Sequence, residues 1–294
     1  MISKNKIKYI LSLQKKKIRD EHRLYVIEGD KLVREYLKAG IKLHTLAAKP
    51  EFITSLPSYQ KDYIEETETA SYDDLKHMSI LKTPHNALAV VGMPDPDFNL
   101  QEVYKGLAVA LDFVQDPGNF GTIIRSAAWF GIRYIFCSEN CVDVYNPKVI
   151  QASMGAILHV RVHYCDLKKF LGDARKKKVP VYGALLEGES IYSSRPGKKG
   201  IILLGNESKG ISYDLMPFVT KKLVIPKFTS ATIGIESLNV GMAASILFSE
   251  FARKTRRDRN YSDFTFRAIA SATFIPSTAE DTIPPAYPEP SPDG

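Results

Sequence analysis

Three loops hold the residues whose types and spacing suit chemistry. They are Gln115-Asp116-Pro117-Gly118-Asn119-Phe120-Gly121 leading to Arg125, then Gly205-Asn206-Glu207, then Ser237-Leu238-Asn239-Val240. Each follows an apolar run and places small or polar residues where a sheet would open onto a ligand. Arg125 is a permanent cation, and the pattern predicts it in the first turn of a helix beginning near residues 119–122. A cation there opposes the helix dipole, which calls for a compensating anion such as phosphate or carboxylate; an ordinary solvated arginine accounts for it equally well. Glu207 reads either as a catalytic carboxylate or as a cap for a helix starting near residues 208–211. Asn239 reads as a cap or a ligand contact, capping being the commoner use of asparagine at a helix start. Gly205 lets backbone approach a ligand closely.

Competing motifs fail on spacing. Gly118-Asn119-Phe120-Gly121 has the wrong interval for a dinucleotide fingerprint, and Lys209-Gly210 reverses the Gly-Lys order of a P-loop. His159, Arg161, His163 and Cys165 alternate along an expected strand, but His159 and His163 would then stand about 13 Å apart at ~3.3 Å per residue, too far to share one zinc. No metal site is expected.

The elements that must position these loops follow from periodicity. Residues 2–17 place Ile7, Ile10, Leu11 and Leu13 near helical spacing among lysines, which predicts a basic amphipathic helix. Residues 24–27 read as a strand, Asp30 as the N-cap of a helix over 31–39 closed by Gly40, and 43–48 as a second strand. Ser71 opens another capped helix, and 87–91 is a buried strand. Two prolines and acidic residues over 92–97 mark a boundary. Beyond it, apolar runs at 107–114, 134–137, 179–185, 201–204 and 223–225 alternate with helical segments, which predicts a mostly parallel sheet covered on both faces.

At 294 residues the chain exceeds the usual single-domain size of roughly 100–200 residues. Its net charge of +7 is concentrated at the start, where residues 1–50 carry thirteen Lys and Arg against five Asp and Glu. That surplus suits a polyanion surface, although Lys15-Lys16-Lys17 also fits a solvated helix face. Cys137, Cys141 and Cys165 are too few and too irregular for a disulfide framework. No stretch approaches the ~20 apolar residues of a membrane span, and a cytoplasmic protein is expected.

Taken together, Asn119-Phe120-Gly121-x-x-x-Arg125-x-Ala127-x-x-x-Gly131, Gly205-Asn206-Glu207-x-x-Gly210, and Ile225-Pro226 followed by Ser237-Leu238-Asn239-Val240-x-x-Ala243 resemble the three motifs of the SpoU (TrmH-type) RNA ribose methyltransferases of the SPOUT superfamily. The likeness spans roughly residues 105–251. Residues 25–33 and 81–90 are similar to that family's ribosomal-protein-like substrate-binding domain.

The resemblance implies an α/β fold: a small RNA-binding domain over 1–94, a linker over 95–104 and a methyltransferase domain over 105–255. The methyltransferase domain would be a SPOUT-type sheet with a deep trefoil knot; a disordered tail over 256–294 is also expected. It implies S-adenosyl-L-methionine as cofactor, met by Leu204, Gly205, Asn206, Ile225, Leu238 and Asn239. A homodimer with composite sites is implied, in which Arg125 and Asn119 face the cofactor of the partner. Arg125 is the family's key catalytic residue, with Glu207 orienting Arg125 or the substrate, and with Ser237 and Asn239 shaping the site. Lys15, Lys16, Lys17, Arg23 and Lys31 are the candidate RNA contacts. The implied reaction is ribose 2′-O-methylation of structured RNA, rRNA in preference to tRNA, with an RNA-binding assembly factor of the same fold as the alternative. The interval from Pro226 to Ser237 is longer than the family's usual spacing, and the Pro-rich end of the chain is a second departure.

Overall fold

Residues 24–28 alternate half-buried and buried positions, the signature of a strand covered on one face, and they open the first of two sheets. The structure, a computed structural model, describes residues 1–95, 99–229 and 236–255, and these belong to one compact unit. The expected tail over 256–294, part of the linker and the middle of the long Pro226–Ser237 interval lie outside the described residues.

The first half runs α1 (Lys4–Ser12), α2 (Lys16–His22), β1 (Leu24–Glu28), α3 (Asp30–Lys38), β2 (Leu43–Ala48), α4 (Pro50–Thr54), α5 (Ser58–Lys61), β3 (Thr67–Thr69), α6 (Tyr72–Met78) and β4 (Ala87–Gly92). Its sheet order is β1-β4-β2-β3, with β4 antiparallel to both neighbours and β2 parallel to β3. The single basic helix expected over 2–17 is two helices. The break is held by Arg19, whose Nη1 donates to the carbonyls of Leu13 at 2.9 Å and Gln14 at 2.7 Å. Asp30 is not a cap: Gly29 holds that position, and the Asp30 carboxylate instead accepts from Asn86 N at 2.9 Å and Asn86 Nδ2 at 2.7 Å. Ser71 does cap α6, in a reciprocal box with Asp74.

The second half runs α7 (Leu100–Val103), β5 (Leu107–Leu111), α8 (Pro117–Trp129), β6 (Tyr134–Cys137), α9 (Pro147–Ser153), β7 (Arg161–Tyr164), α10 (Leu167–Lys176), β8 (Val181–Ser190), β9 (Gly200–Leu204), β10 (Lys221–Val224) and α11 (Val240–Thr255). All five pairings in the order β10-β8-β9-β5-β6-β7 are parallel. Every residue of β9 is buried, as a central strand covered on both faces requires. Alternate residues of β5 and β9 explain how: Val109, Leu111, Ile202 and Leu204 join residues of α8 and α11 on one face, while Ala108, Ala110, Ile201 and Leu203 join α10 on the other. His159 lies outside β7, and His163 stacks on Phe136 with ring centroids 5.5 Å apart. The knot stands as an expectation, because the segment joining β10 to α11 includes residues outside those described.

The two halves are not joined by a loose hinge. Val103 of the expected linker is buried against α10 residues. Arg19, 2% exposed, pairs through Nη2 with Asp143 of the second half, and Tyr25 packs on Tyr145 with centroids 4.6 Å apart. Gly155, at φ +85°, passes so close to α3 that a Cβ there would meet Glu35 Oε2 at 2.3 Å.

Candidate active site

In a parallel sheet all strands point the same way, so the carboxyl ends of β5, β8, β9 and β10 open at one edge. Asp112, just past β5, fixes the geometry there. Its N–H donates to the Leu204 carbonyl at 2.8 Å and its buried carboxylate accepts from Ser212 N at 2.7 Å. The loop that follows is pinned from below, Val114 N donating to Cys141 Sγ at 3.3 Å. Hydrogen bonds from Cys137, Ser138 and the loop backbone draw the Cys141 thiol down to about 7 against the effect of its burial. Burial pushes the neighbouring Cys137 thiol well up.

Pro117 then starts α8 at its first position, where a missing N–H costs nothing. Asn119 is the third residue of α8. Its Nδ2 donates to Glu207 Oε1 at 2.6 Å, and its Oδ1 accepts from Asn239 Nδ2 at 2.8 Å. Asn239 also caps α11, its Oδ1 accepting from Gly241 N at 2.9 Å and Met242 N at 3.2 Å. The capping reading of Asn239 holds, and the same side chain also reaches Asn119. Asn119, Glu207 and Asn239 come from the three separate loops, and the structure brings them into one hydrogen-bonded row.

Glu207 caps no helix. The segment after it is a tight turn, closed by Asn206 N to Gly210 O at 3.0 Å and Gly210 N to Asn206 O at 2.9 Å. Gly205 is needed because this turn folds back on it: a Cβ there would lie 2.2 Å from the Gly210 carbonyl carbon. The backbone that approaches Gly205 is thus the protein's own. Asn206 spends its side chain on the loop, donating to the Phe113 carbonyl at 3.0 Å and accepting from Ser208 N and Lys209 N, each at 3.0 Å.

Arg125 departs from expectation. It is the ninth residue of α8, beyond the first turn, so the dipole argument for a compensating anion does not apply. The side chain is exposed, and Nη1 donates to Met154 Sδ at 2.9 Å. Within this chain Glu207 bonds Asn119 rather than Arg125.

Leu204 is buried at the end of β9, Ile225 packs half-buried against the α8–α11 side of the core, and Ser237 and Leu238 are exposed. Of the backbone at 204–206, the Leu204 carbonyl accepts from Asp112 N and both polar groups of Asn206 pair with Gly210, which leaves the backbone of Gly205, flanked by apolar side chains, to meet a ligand that joins a flat heterocycle to a polar chain, as an adenosyl amino acid does. One wall of this edge escaped the sequence reading. Strand β8 lies between β9 and β10, and its register with β10 shifts from Gly183 to Glu189, an irregularity that spans residues 184–188 of the strand. The run 179–185 signalled a strand there but not its place in the sheet.

The basic candidates separate. Lys15 and Lys17 are exposed, Lys16 pairs with Asp20, and Lys31 lies 4.0 Å from Glu35. Arg23 donates to Pro94 O at 3.1 Å and Asp95 Oδ1 at 3.2 Å, holding the segment that leaves the first sheet.

Residues 106–249 match the SpoU rRNA Methylase family, and residues 4–89 match the MRM3-like substrate binding domain. The chain is 31% identical over 243 residues to the 23S rRNA (guanosine(2553)-2′-O)-methyltransferase RlmP of Bacillus subtilis, covering 82% of this chain and 94% of that protein. Among solved structures, a TrmH-family protein from Porphyromonas gingivalis matches at 37% identity and a TM-score of 0.76, over 86% of this chain and 99% of that one. The AdoMet-bound rRNA methyltransferase from Sinorhizobium meliloti matches at 26% identity and a TM-score of 0.72, over 86% of this chain and 97% of that one.

Proposed function

The chain belongs to the SpoU rRNA methylase family, and from that premise we infer that it transfers a methyl group from S-adenosylmethionine to a ribose 2′-hydroxyl of rRNA, specifically of large-subunit rRNA. The observation that carries this reading onto individual residues is the row Glu207–Asn119–Asn239, which gathers all three motif loops at the carboxyl edge of the sheet.

S-adenosylmethionine supplies an electrophilic methyl carbon, and Leu204, Gly205, Asn206, Ile225, Leu238 and Asn239 are the residues that would hold it. What the chain must add is position, because a ribose hydroxyl is a weak nucleophile. A guanidinium serves poorly as a base, so Arg125 takes another role. It grips the phosphate beside the target ribose and stabilises charge as the oxygen reacts. Asn119 is held at both ends of its amide, which leaves the second N–H of Nδ2 for a substrate oxygen.

Arg125 bonds Met154 while Glu207 bonds Asn119, an arrangement that supports a composite site completed by a second copy of the chain. The face that would meet this copy is apolar and exposed: Trp129 is 82% exposed, Met242 61% and Leu238 46%. Helices α8 and α11 carry Trp129 and Met242, with Leu238 just before α11, and touch through Ser126 Oγ and Ser245 Oγ at 2.6 Å. Exposed apolar groups on adjacent helices mark contact sites. Residues 1–94 would capture RNA through Lys15, Lys17 and their neighbours. Among the described residues no helix is long and apolar enough to cross a membrane, and we place the enzyme in the cytoplasm.

Parallel titrations with S-adenosylmethionine and with rRNA test this reading. Both ligands are expected to bind; RNA affinity without cofactor affinity would support an assembly factor instead.

A further inference from the structure

Four described non-glycine residues have positive φ: Arg23 at 55°, Phe113 at 59°, Met154 at 48° and Lys178 at 54°. Arg23 and Met154 terminate α2 and α9, and Lys178 follows the C-cap of α10. Helix ends commonly take this conformation. Phe113 ends no helix. It sits past β5 between the buried residues Asp112 and Val114, at the edge where the site opens. A bulky side chain is disfavoured there, whereas glycine or asparagine would adopt the conformation readily.

The surroundings enforce it. Phe113 N donates to Ser138 Oγ at 2.9 Å, and the Phe113 carbonyl accepts from Asn206 Nδ2 at 3.0 Å. The ring does not repay this by filling the core: it is half-buried and belongs to neither apolar cluster on the faces of its sheet. Lys209 lies over it instead, with Nζ 5.4 Å from the ring centroid. Lys209 comes from the same turn as Glu207. Strand β5 flanks β9 on the side away from β8 and β10, so the ring borders the Gly205–Gly210 turn on its β5 side.

We propose that Phe113 is a stacking platform for the base of the nucleotide being methylated, and that Lys209 moves from the ring to that nucleotide's phosphate as the base arrives. RNA bases that leave a helix are commonly received on aromatic side chains. Stacking of a base on an aromatic ring outweighs a cation–π contact at an exposed site, so the base displaces the ammonium. The proposal rests on the RNA methyltransferase reading and assigns it a substrate-positioning residue.

The test compares Phe113→Leu, which keeps an apolar side chain without a π face, with Phe113→Trp, in the full chain. The readouts are kcat and KM on a large-subunit rRNA transcript, S-adenosylmethionine affinity and thermal unfolding. Phe113→Leu is expected to raise the RNA KM by about tenfold with cofactor affinity unchanged, and Phe113→Trp to restore it. Lys209→Gln is expected to flatten the salt dependence of RNA binding by about one phosphate contact. Unchanged RNA kinetics in Phe113→Leu would overturn the proposal. So would a matching loss of cofactor affinity, which would make the ring an adenine platform. A loss that follows a lowered melting temperature and is not recovered by tryptophan would make it a structural part. If the wild type methylates no RNA, the functional reading fails, and the same variants compared by RNA binding still test the platform.

Discussion

Asn119 Nδ2 and Glu207 Oε1 meet at 2.6 Å although the residues stand 88 positions apart in the chain. A carboxylate that accepts from an amide fixes which way the amide points, and here Asn239 fixes the other end. Glu207→Gln keeps the shape and removes the charge. We expect kcat/KM to fall by roughly tenfold, the scale of a hydrogen bond to a charged group. Melting temperature should change little, because glutamine keeps the shape and its amide oxygen can still accept from Asn119 Nδ2. Unaltered kinetics would remove Glu207 from the site.

Arg125→Ala should abolish methyl transfer and largely spare S-adenosylmethionine binding, since the side chain is exposed and its hydrogen bond goes to Met154. Titration and turnover on the same preparation separate the two effects. Retained turnover would exclude Arg125 from the mechanism.

Arg19 joins the two halves, pairing with Asp143 at 2% and 11% side-chain exposure while donating to the Leu13 and Gln14 carbonyls. Removing one partner of a buried pair leaves the other charge uncompensated. Arg19→Ala should therefore cost about 3–5 kcal/mol in denaturant unfolding. A cost below about 1 kcal/mol would place the pair in the weak class of surface bridges.

The Asp74 carboxyl is held below its ordinary range, first by the Ser71 hydroxyl and then by the Ser71 backbone N–H. The native state then binds fewer protons than the unfolded chain over the acid range. The stabilisation is fully present above the ordinary carboxylate pKa and is lost as pH falls through the lowered one. Ser71→Ala should cost about 1 kcal/mol near neutral pH, less in acid, and leave methylation unaffected. Equal cost at both pH values would contradict this assignment.

The parallel sheet was legible because its central strands are continuous apolar runs such as Ile201-Ile202-Leu203-Leu204, and these were buried on both faces as expected. The three loops were legible as motifs. What escaped was whatever depends on tertiary contact. The break between α1 and α2 follows from Arg19, whose value lies in Asp143, 124 residues away. Asp30 carries the composition of a cap but is taken by Asn86. The place of β8 between β9 and β10 is a property of chain crossing, to which local pattern is blind. The positive φ of Phe113 has no sequence signal, since phenylalanine is among the residues least expected there.

The most direct measurement is nucleoside analysis after incubating the protein with methyl-labelled S-adenosylmethionine and, separately, unmodified large-subunit rRNA and a tRNA pool. The account predicts label in a single 2′-O-methylnucleoside from the rRNA and none from the tRNA. Label on a base, label confined to tRNA, or no transfer by a protein that binds the cofactor would contradict it.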